Sequence, residues 1–427
     1  MEVVTDVLEI LAALLGAGLT LWGAYYLLAG LMSWRRPMDY GAHPAMTRFA
    51  VLIAARNEGM VIGPLVESLR QQQYPKELYD IWVIPNNCTD NTAQAARDAG
   101  ARVLECTVPV TCKGEVLRFA YSRLCHRGYD AYCVFDADNV VHPEFLQEMN
   151  NAYCCGARAA QGYRDSKNPY DSAISGCCSI YYWMMDRFYN GGKAGLGLSA
   201  MINGTGFMVA DSTLKKLGGW CTGTISEDME MTALCVLADV KVHWVPLAQT
   251  FDEQPLTLAQ SNCQRRRWTS GTFQVAEGYL PRLSQRLTER PSLPVVNMGM
   301  DLVLPAYQLA ILANLVVGSL AAFLGGRTAG ESAAQLLSYL GWNIGITALV
   351  ATLTVFLVLT VEGKWDRRLW RAVGCYWLFL LSWLPITVVS AVKGTTRWEE
   401  IRHTRSVKAE AEEVRKPCQR GVIERKR

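Results

Sequence analysis

Charge is scarce in this chain. Of 427 residues, 19% are Asp, Glu, Lys or Arg, below the ~25% usual for soluble domains. Histidine is scarcer still, with five copies, and the 14 cysteines include no C-x-x-C pair, so no zinc-ligand spacing is present. The adjacent pairs Cys154–Cys155 and Cys177–Cys178 fit none either. No basic stripe with interleaved aromatics occurs, so nucleic acid is not an expected partner. Composition also excludes a disordered chain, a collagen-like fibre and a small disulfide scaffold. Twelve of the cysteines fall between Cys88 and Cys263. In so long a stretch they read as small buried hydrophobes in a reducing compartment. The net charge of +3 singles out no class of partner.

Apolar sequence is abundant and unevenly placed. Half of the residues are hydrophobic and the mean hydropathy is +0.08. Residues 10–33, 302–326, 332–361 and 372–392 carry no charge, and each run exceeds the ~18–20 residues that cross a bilayer. Residues 37–301 are patterned like a globular domain, of about 250 residues and large enough for its own core. The expected organisation is a transmembrane helix over 1–36, a soluble domain over 45–275, an amphipathic interfacial helix over 276–294, a membrane region of two or three helices over 295–392, and a basic tail over 393–427.

Topology follows from charge. Acidic Glu2, Asp6 and Glu9 precede the first run, and Arg35–Arg36 follow it without a small-residue cleavage pattern. The positive-inside rule then places the N-terminus outside and the soluble domain in the cytoplasm, at the plasma membrane. The loop 362–371 carries Lys364, Arg367, Arg368 and Arg371, and the tail is basic too. One crossing cannot put both inside. Either the tail lies outside, or 372–392, broken by Pro385, is re-entrant or interfacial; three or four spans result, with a cytoplasmic tail favoured.

The soluble part alternates strand and helix. Apolar runs at 48–55, 79–85, 102–106 and 131–135 read as strands, and 61–70, 87–99 and 113–125 as helices. This order predicts an α/β fold with a mostly parallel sheet and ligands at the carboxyl ends of its strands. Near residue 280, Leu280, Leu283 and Leu287 share one helical face, and Arg282, Arg286 and Arg290 another. Pro291 and Pro294 end the stretch, which reads as a helix lying at the membrane surface.

Polar residues gather where the strands end. The first strand runs into Arg56-Asn57-Glu58, the second into Asn86-Asn87, the fourth into Asp136-Ala137-Asp138. Two carboxylates two residues apart at a strand end suit Mg²⁺ or Mn²⁺ beside a diphosphate. Ser226-Glu227-Asp228 precedes a helical stretch and has the form of an N-cap with acids in the first turn. Gln264-Arg265-Arg266-Arg267-Trp268 follows, as a basic helix face would on anionic headgroups. Together and in this order, R-N-E, N-N-C-T-D, D-A-D, S-E-D and Q-x-x-R-W resemble the processive family 2 glycosyltransferases, the membrane synthases of cellulose, chitin and hyaluronan.

The resemblance spans roughly residues 49–268 and implies a GT-A-like nucleotide-diphospho-sugar transferase domain. It implies that Ala55, Arg56, Glu58 and Asn87 shape a uridine pocket, where an Asp is usual at Asn86 or Asn87, and that Lys113 reaches the nucleotide. Asp136 and Asp138 would hold the diphosphate and the metal. Asp228, beside Glu227, stands where the family has its general base, in S-E-D rather than the usual T-E-D. Gln264, Arg267 and Trp268 would form the platform for diphosphate and acceptor sugar, with Gly204 and Thr205 in an acceptor-side loop. Tyr181-Tyr182-Trp183 would serve as helix core or line an acceptor groove, and Asp252 to Pro255 as a cap or supporting acid. His142 and His243 read as structural. Trp398, His403, Thr404 and Arg405 form a tail segment that would close over the nucleotide or lie in solvent. The 35 residues after Val392 leave no room for a C-terminal cyclic-dinucleotide-binding barrel.

The chemistry asks for the same residue types. A sugar nucleotide leaves well only when its diphosphate charge is neutralised. An acceptor hydroxyl needs a carboxylate to take its proton, and direct displacement with one base inverts the anomeric carbon. The expected activity is inverting, metal-dependent transfer from a UDP-sugar to a growing β-linked polysaccharide, coupled to export. Three or four spans make a thin channel wall, so export would call for a homo-oligomer or a partner. The alternative is transfer of one sugar to a membrane lipid. Asp228→Asn is expected to abolish transfer while UDP binding, read by calorimetry, is kept; retained transfer overturns the assignment of the base.

Overall fold

The computed structural model describes residues 2–35 and 39–395, so Trp398, His403, Thr404 and Arg405 lie outside the described residues. Eight strands form one mixed sheet: β1 (Phe49–Ala55), β2 (Tyr79–Pro85), β3 (Arg102–Val103), β4 (Ala131–Asp136), β5 (Val140–Val141), β6 (Ala159–Ser166), β7 (Phe207–Ala210) and β8 (Val242–Asp252). Their order is β3-β2-β1-β4-β7-β6-β8-β5. The β3-β2-β1-β4 half is parallel, β7 runs antiparallel to both β4 and β6, and β6 pairs parallel with β8. All seven residues of β1 are buried, as a strand covered on both faces must be. Its alternation divides the core. Ala50, Leu52 and Ala54 join one apolar cluster, and Phe49, Val51, Ile53 and Ala55 the other.

Two elements are shorter than their sequence patterns. The third strand ends at Val103, although Leu104 N and Cys106 N still donate to Val83 O and Pro85 O, at 2.9 and 3.0 Å. The helix expected from Asn87 begins at Thr92. Asn87 is held left-handed at φ 50°, and Asp90 ties the loop by accepting from Gly59 N and Thr92 N, each at 3.0 Å.

The stretch expected to lie on the membrane surface is instead the second half of one helix, Leu258–Glu289, which also carries Gln264 to Trp268. A capping box between Thr257 and Gln260 starts it. Its leucine face is covered by protein: Leu283 is 2% exposed and packs in a cluster with Leu234, Val236, Val295 and Met298. A leucine every third or fourth residue fits a neighbouring helix as well as lipid, and Glu227–Leu237 is the neighbour here.

Four helical segments are long and apolar enough to cross a membrane: Val3–Trp34, Leu304–Leu324, Ala329–Val361 and Arg367–Val392. The last differs from the others. A turn at Ser382 divides it into helices Trp370–Leu381 and Trp383–Val392, of 12 and 10 residues. Both of its ends touch the soluble domain. Before it, Tyr163 donates to Glu362 at 2.6 Å and Lys364 pairs with Asp165 at 2.6 Å. After it, Arg266 donates to Lys393 O and Gln274 to Thr395 O, both at 3.0 Å.

The apolar cluster on one sheet face continues into the long apolar helices, through Val355, Val358, Tyr376 and Phe379. A buried pair, Lys193–Asp301 at 2.5 Å, joins the domain to the base of the second segment, and Tyr26 of the first donates to the same carboxylate at 3.3 Å. Arg265, 1% exposed, donates to Phe379 O and Ser382 Oγ at 2.9 Å each, where the last segment breaks. A guanidinium suits the terminal carbonyls of Trp370–Leu381. Arg265→Leu is expected to cost about 1.5–3 kcal/mol, read as a lower Tm in detergent and faster tryptic cleavage at Lys393; an unchanged Tm and digest would show that Arg265 does not hold the break.

Candidate active site

The carboxyl ends of β1 and β4 open on a cavity of about 1440 Å³. Arg56, Glu58, Lys113, Asp136, Asp138, Gly204, Glu227, Asp228, Gln264, Arg267 and Trp268 all line it. Ala55, Asn87 and Thr205 do not. Ala55 is fully buried and its carbonyl accepts Asn86 Nδ2 at 2.9 Å, leaving Ala54 on the wall. Asn87 turns to Val110 O at 3.3 Å. Thr205 is buried and accepts from Asp136 N at 3.1 Å, so it positions Asp136 rather than meeting an acceptor.

Lys113 is the electrostatic centre. Its side chain is 8% exposed, and its Nζ lies 2.5 Å from Asp136 Oδ1, 2.6 Å from Gly204 O and 3.5 Å from Glu227 Oε1. Burial works against the ammonium, but Asp136 and Glu227 outweigh it and raise the lysine above its usual range. Burial likewise opposes the Asp136 carboxylate, yet Lys113 pulls it below the usual range, with Arg164 and Arg267 assisting. Gly114 lets this helix approach: a Cβ there would fall 2.6 Å from Thr222 Oγ1 and 2.9 Å from its carbonyl.

Glu227 and Asp228 open the helix Glu227–Leu237. Ser226 occupies the N-cap position but its hydroxyl makes no capping bond, so capping does not account for the acids beside it. Burial pushes Glu227 up to about 7, against Lys113 and with the Asp228 and Asp136 charges adding to the rise. Burial raises Asp228 as well. Gly204, at φ 81°, passes so close that a Cβ would lie 3.2 Å from Asp228 Oδ2; a left-handed glycine keeps that oxygen clear. Glu230, one turn on, is structural, accepting from Gly223 N and Thr224 N at 2.8 Å and from Tyr279 OH at 2.9 Å.

A second buried pair faces the first. Arg164 of β6 donates through Nε and a terminal nitrogen to Asp252 Oδ2 and through the other to Asn203 O at 2.9 Å, with its guanidinium 4.1 Å from the centre of the Tyr182 ring. Burial pushes Asp252 up to about 7, with Asp138 and Asp136 raising it and Arg164 lowering it. Arg164 escaped the sequence reading. Its only signal is a charged pair, Arg164-Asp165, closing a strand whose every residue is buried. Tyr181 and Tyr182 line the cavity, whereas Trp183 is buried and donates to Asp165 at 2.7 Å. The histidines are structural. His142 Nδ1 accepts Glu144 N at 3.2 Å, and His243, beside Tyr40, is pushed down to about 4 by burial.

Asp136 and Asp138 offer hard oxygen donors to the cavity, and no group of three or more His, Cys, Asp or Glu side chains with metal-site geometry is found among the described residues. A pair of carboxylates without a closed cage fits Mg²⁺ or Mn²⁺, which leave positions for phosphate and water. A base acts in its deprotonated form, and burial raises both Glu227 and Asp228, so each keeps its proton to a higher pH than a free carboxyl does. The kcat/KM of a base-catalysed reaction in this cavity is therefore expected to fall on acidification at a pH above the ~4 of free carboxylates. A profile flat from about pH 5 to 8 overturns this.

A family described as "Glycosyltransferase like family 2" matches residues 44–271. "Probable glycosyltransferase YdaM" of Bacillus subtilis is 26% identical over 58% of this chain and 59% of its own length. "Beta-monoglucosyldiacylglycerol synthase" of Nostoc sp. is 25% identical over 53% and 49%, and that of Trichormus variabilis 23% over 84% and 76%. The match thus spans only about half to three-fifths of the first two relatives. Among solved structures, the mannosyltransferase PcManGT from Pyrobaculum calidifontis, in complex with GDP-Man and Mn²⁺, superposes with a TM-score of 0.55 at 15% identity, covering 91% of this chain and 98% of that one. The mixed, mostly parallel sheet is that of a GT-A-like fold. With its family match covering more than half of its length, this chain is a glycosyltransferase and belongs to family 2.

Proposed function

We propose that the protein transfers one sugar from a UDP-sugar to a hydroxyl of a membrane lipid, with inversion at the anomeric carbon. The carrying observation is the shape of the cavity. The space that holds Asp136 and Asp228 also runs between two apolar helices, past Leu304, Ile311, Leu384 and Val389. Extension of a hydrophilic glycan asks for a polar exit, and this end is lined mainly by apolar side chains, with Gln308 and Thr347 among them. Relatives named for a β-linked monoglucosyldiacylglycerol favour the same acceptor class, a diacylglycerol.

In this reading Arg56 and Glu58 flank the nucleoside, and Lys113 and Arg267 set positive charge against the diphosphate. Mg²⁺ or Mn²⁺ held by Asp136 and Asp138 would supply further neutralisation of the leaving group. Asp228 takes the proton of the lipid hydroxyl as that oxygen attacks, with Glu227 as its charged neighbour. Gln264 and Trp268 form the wall on which the acceptor end rests. Lys113 keeps Asp136 ionised before any donor arrives.

The membrane arrangement is part of the proposal. Three crossings, by Val3–Trp34, Leu304–Leu324 and Ala329–Val361, place the N-terminus opposite the catalytic domain. The segment Arg367–Val392 stays on the domain side, since both its flanks bond to the domain. The basic loop 362–371 then shares the cytoplasmic face with the catalytic site, at the plasma membrane.

Protein purified in detergent and given Mn²⁺, diacylglycerol vesicles and a panel of labelled UDP-sugars is expected to yield one organic-extractable glycolipid bearing a single β-linked sugar. A water-soluble ladder or high polymer overturns this reading in favour of a processive synthase.

A further inference from the structure

Two apolar helix faces meet beside the catalytic cavity. Leu304, Tyr307 and Ile311 recur at helical spacing along Leu304–Leu324, and Leu384, Pro385, Ile386 and Val389 of Trp383–Val392 line the same space. They do not close on each other: the cavity lies between them and is continuous with the part lined by Asp228 and Trp268. From Leu304 to Ile311 it follows its helix for about 10 Å at ~1.5 Å per residue.

The gap is held at two points. Thr387 donates to Gln308 Oε1 at 2.5 Å, joining the walls directly. Below, Arg265 fixes the break at Ser382, and Trp383 at the start of the second wall packs 5.1 Å from Tyr181 and 6.5 Å from Trp268, ring centre to ring centre. One wall is a membrane helix and the other belongs to the segment that returns to the domain. A cavity of this kind can admit a molecule sideways from the hydrocarbon. Dry apolar space is not filled by water at equilibrium, and the sole abundant apolar chain around these helices is that of a lipid.

We propose that this apolar arm is the binding site for an acyl chain of the acceptor lipid, with Leu304, Tyr307 and Ile311 as one wall and Leu384, Ile386 and Val389 as the other. The inference rests on the lipid-acceptor reading above. It adds that the helix Trp383–Val392 is part of the acceptor site and that the chain's anchorage, beyond the headgroup, sets acceptor affinity. Long-chain acceptors gain from burying each methylene along the arm. The headgroup hydroxyl then comes up to Asp228 at the level of Trp268, where arm and polar cavity join.

Ile311→Trp and Val389→Trp place an indole in the arm without touching the polar residues. With dioleoylglycerol in detergent micelles, each is expected to raise acceptor KM by about tenfold or more while kcat changes little. Dioctanoylglycerol should be affected less. Full-length wild-type enzyme irradiated with a diacylglycerol carrying a diazirine in one acyl chain is expected to be labelled within 304–311 and 384–389. The labelling needs no variant and decides the matter even if both substitutions prevent folding. Labelling confined to outward residues such as Leu337 and Trp342, or unchanged KM in both folded variants, overturns the acyl-chain site. Wild type that forms no glycolipid overturns the lipid-acceptor reading itself, so the two failures are distinguishable.

Discussion

The ammonium of Lys113 is the point on which the site is assembled. It stands at the first turn of its helix, where the macrodipole disfavours a positive charge, and it is almost wholly buried. Three strangers in sequence reach it: Asp136 at the end of β4, the carbonyl of Gly204, and Glu227 at a helix start. Without the cation, Asp136, Glu227 and Asp228 would face one another in a desolvated space, a costly arrangement for like charges. A residue that breaks its local preference and is compensated by long-range partners is what a functional site looks like. The lysine also joins two sides of the cavity: it keeps Asp136 ionised at the end of β4 and shares the charge of Glu227 beside Asp228.

Around that centre the domain and the apolar helices pack against one another. The core on one sheet face does not stop at the domain surface but runs into Val355, Val358, Tyr376 and Phe379. Arg265 lies between Gln264 and Arg267 of the cavity wall, yet faces the other way, toward the break at Ser382. One turn of one helix therefore addresses both the reaction space and the returning segment. Helical geometry makes this possible, because adjacent residues point about 100° apart.

The sequence made the active side of the sheet legible. Runs such as 48–55 and 79–85 are continuous in apolar residues, and polar residues stand where each run ends. Eleven of the fourteen site residues named from motifs line one cavity. Ala55, Asn87 and Thr205 stand just behind the lining, because a motif tells which residues are near a site, not which way each turns. Arg164 was invisible, since its partner Asp252 is 88 residues away. The leucine face near residue 280 was read as lipid-facing because periodicity reports an apolar partner without naming it. The charge conflict around 372–392 has a structural counterpart in the contacts of its flanks. Both flanks do lie against the domain, and the break at Ser382 is how the chain achieves it.

β6 has two faces with different tenants. Tyr163 and Asp165 reach Glu362 and Lys364 below the third apolar helix, while Arg164 between them turns to Asp252 and the cavity. Alternation along a strand is rigid, so whatever shifts one set shifts the other. A displacement of the third apolar helix would thus bear on the arginine through a single strand. A catalytic domain cut free after its family-matched region would keep every motif and still lose that load. It would also expose the apolar face that Tyr376 and Val358 cover, and leave Asp165 without its lysine. For this chain, solubilising the catalyst by truncation means dismantling it.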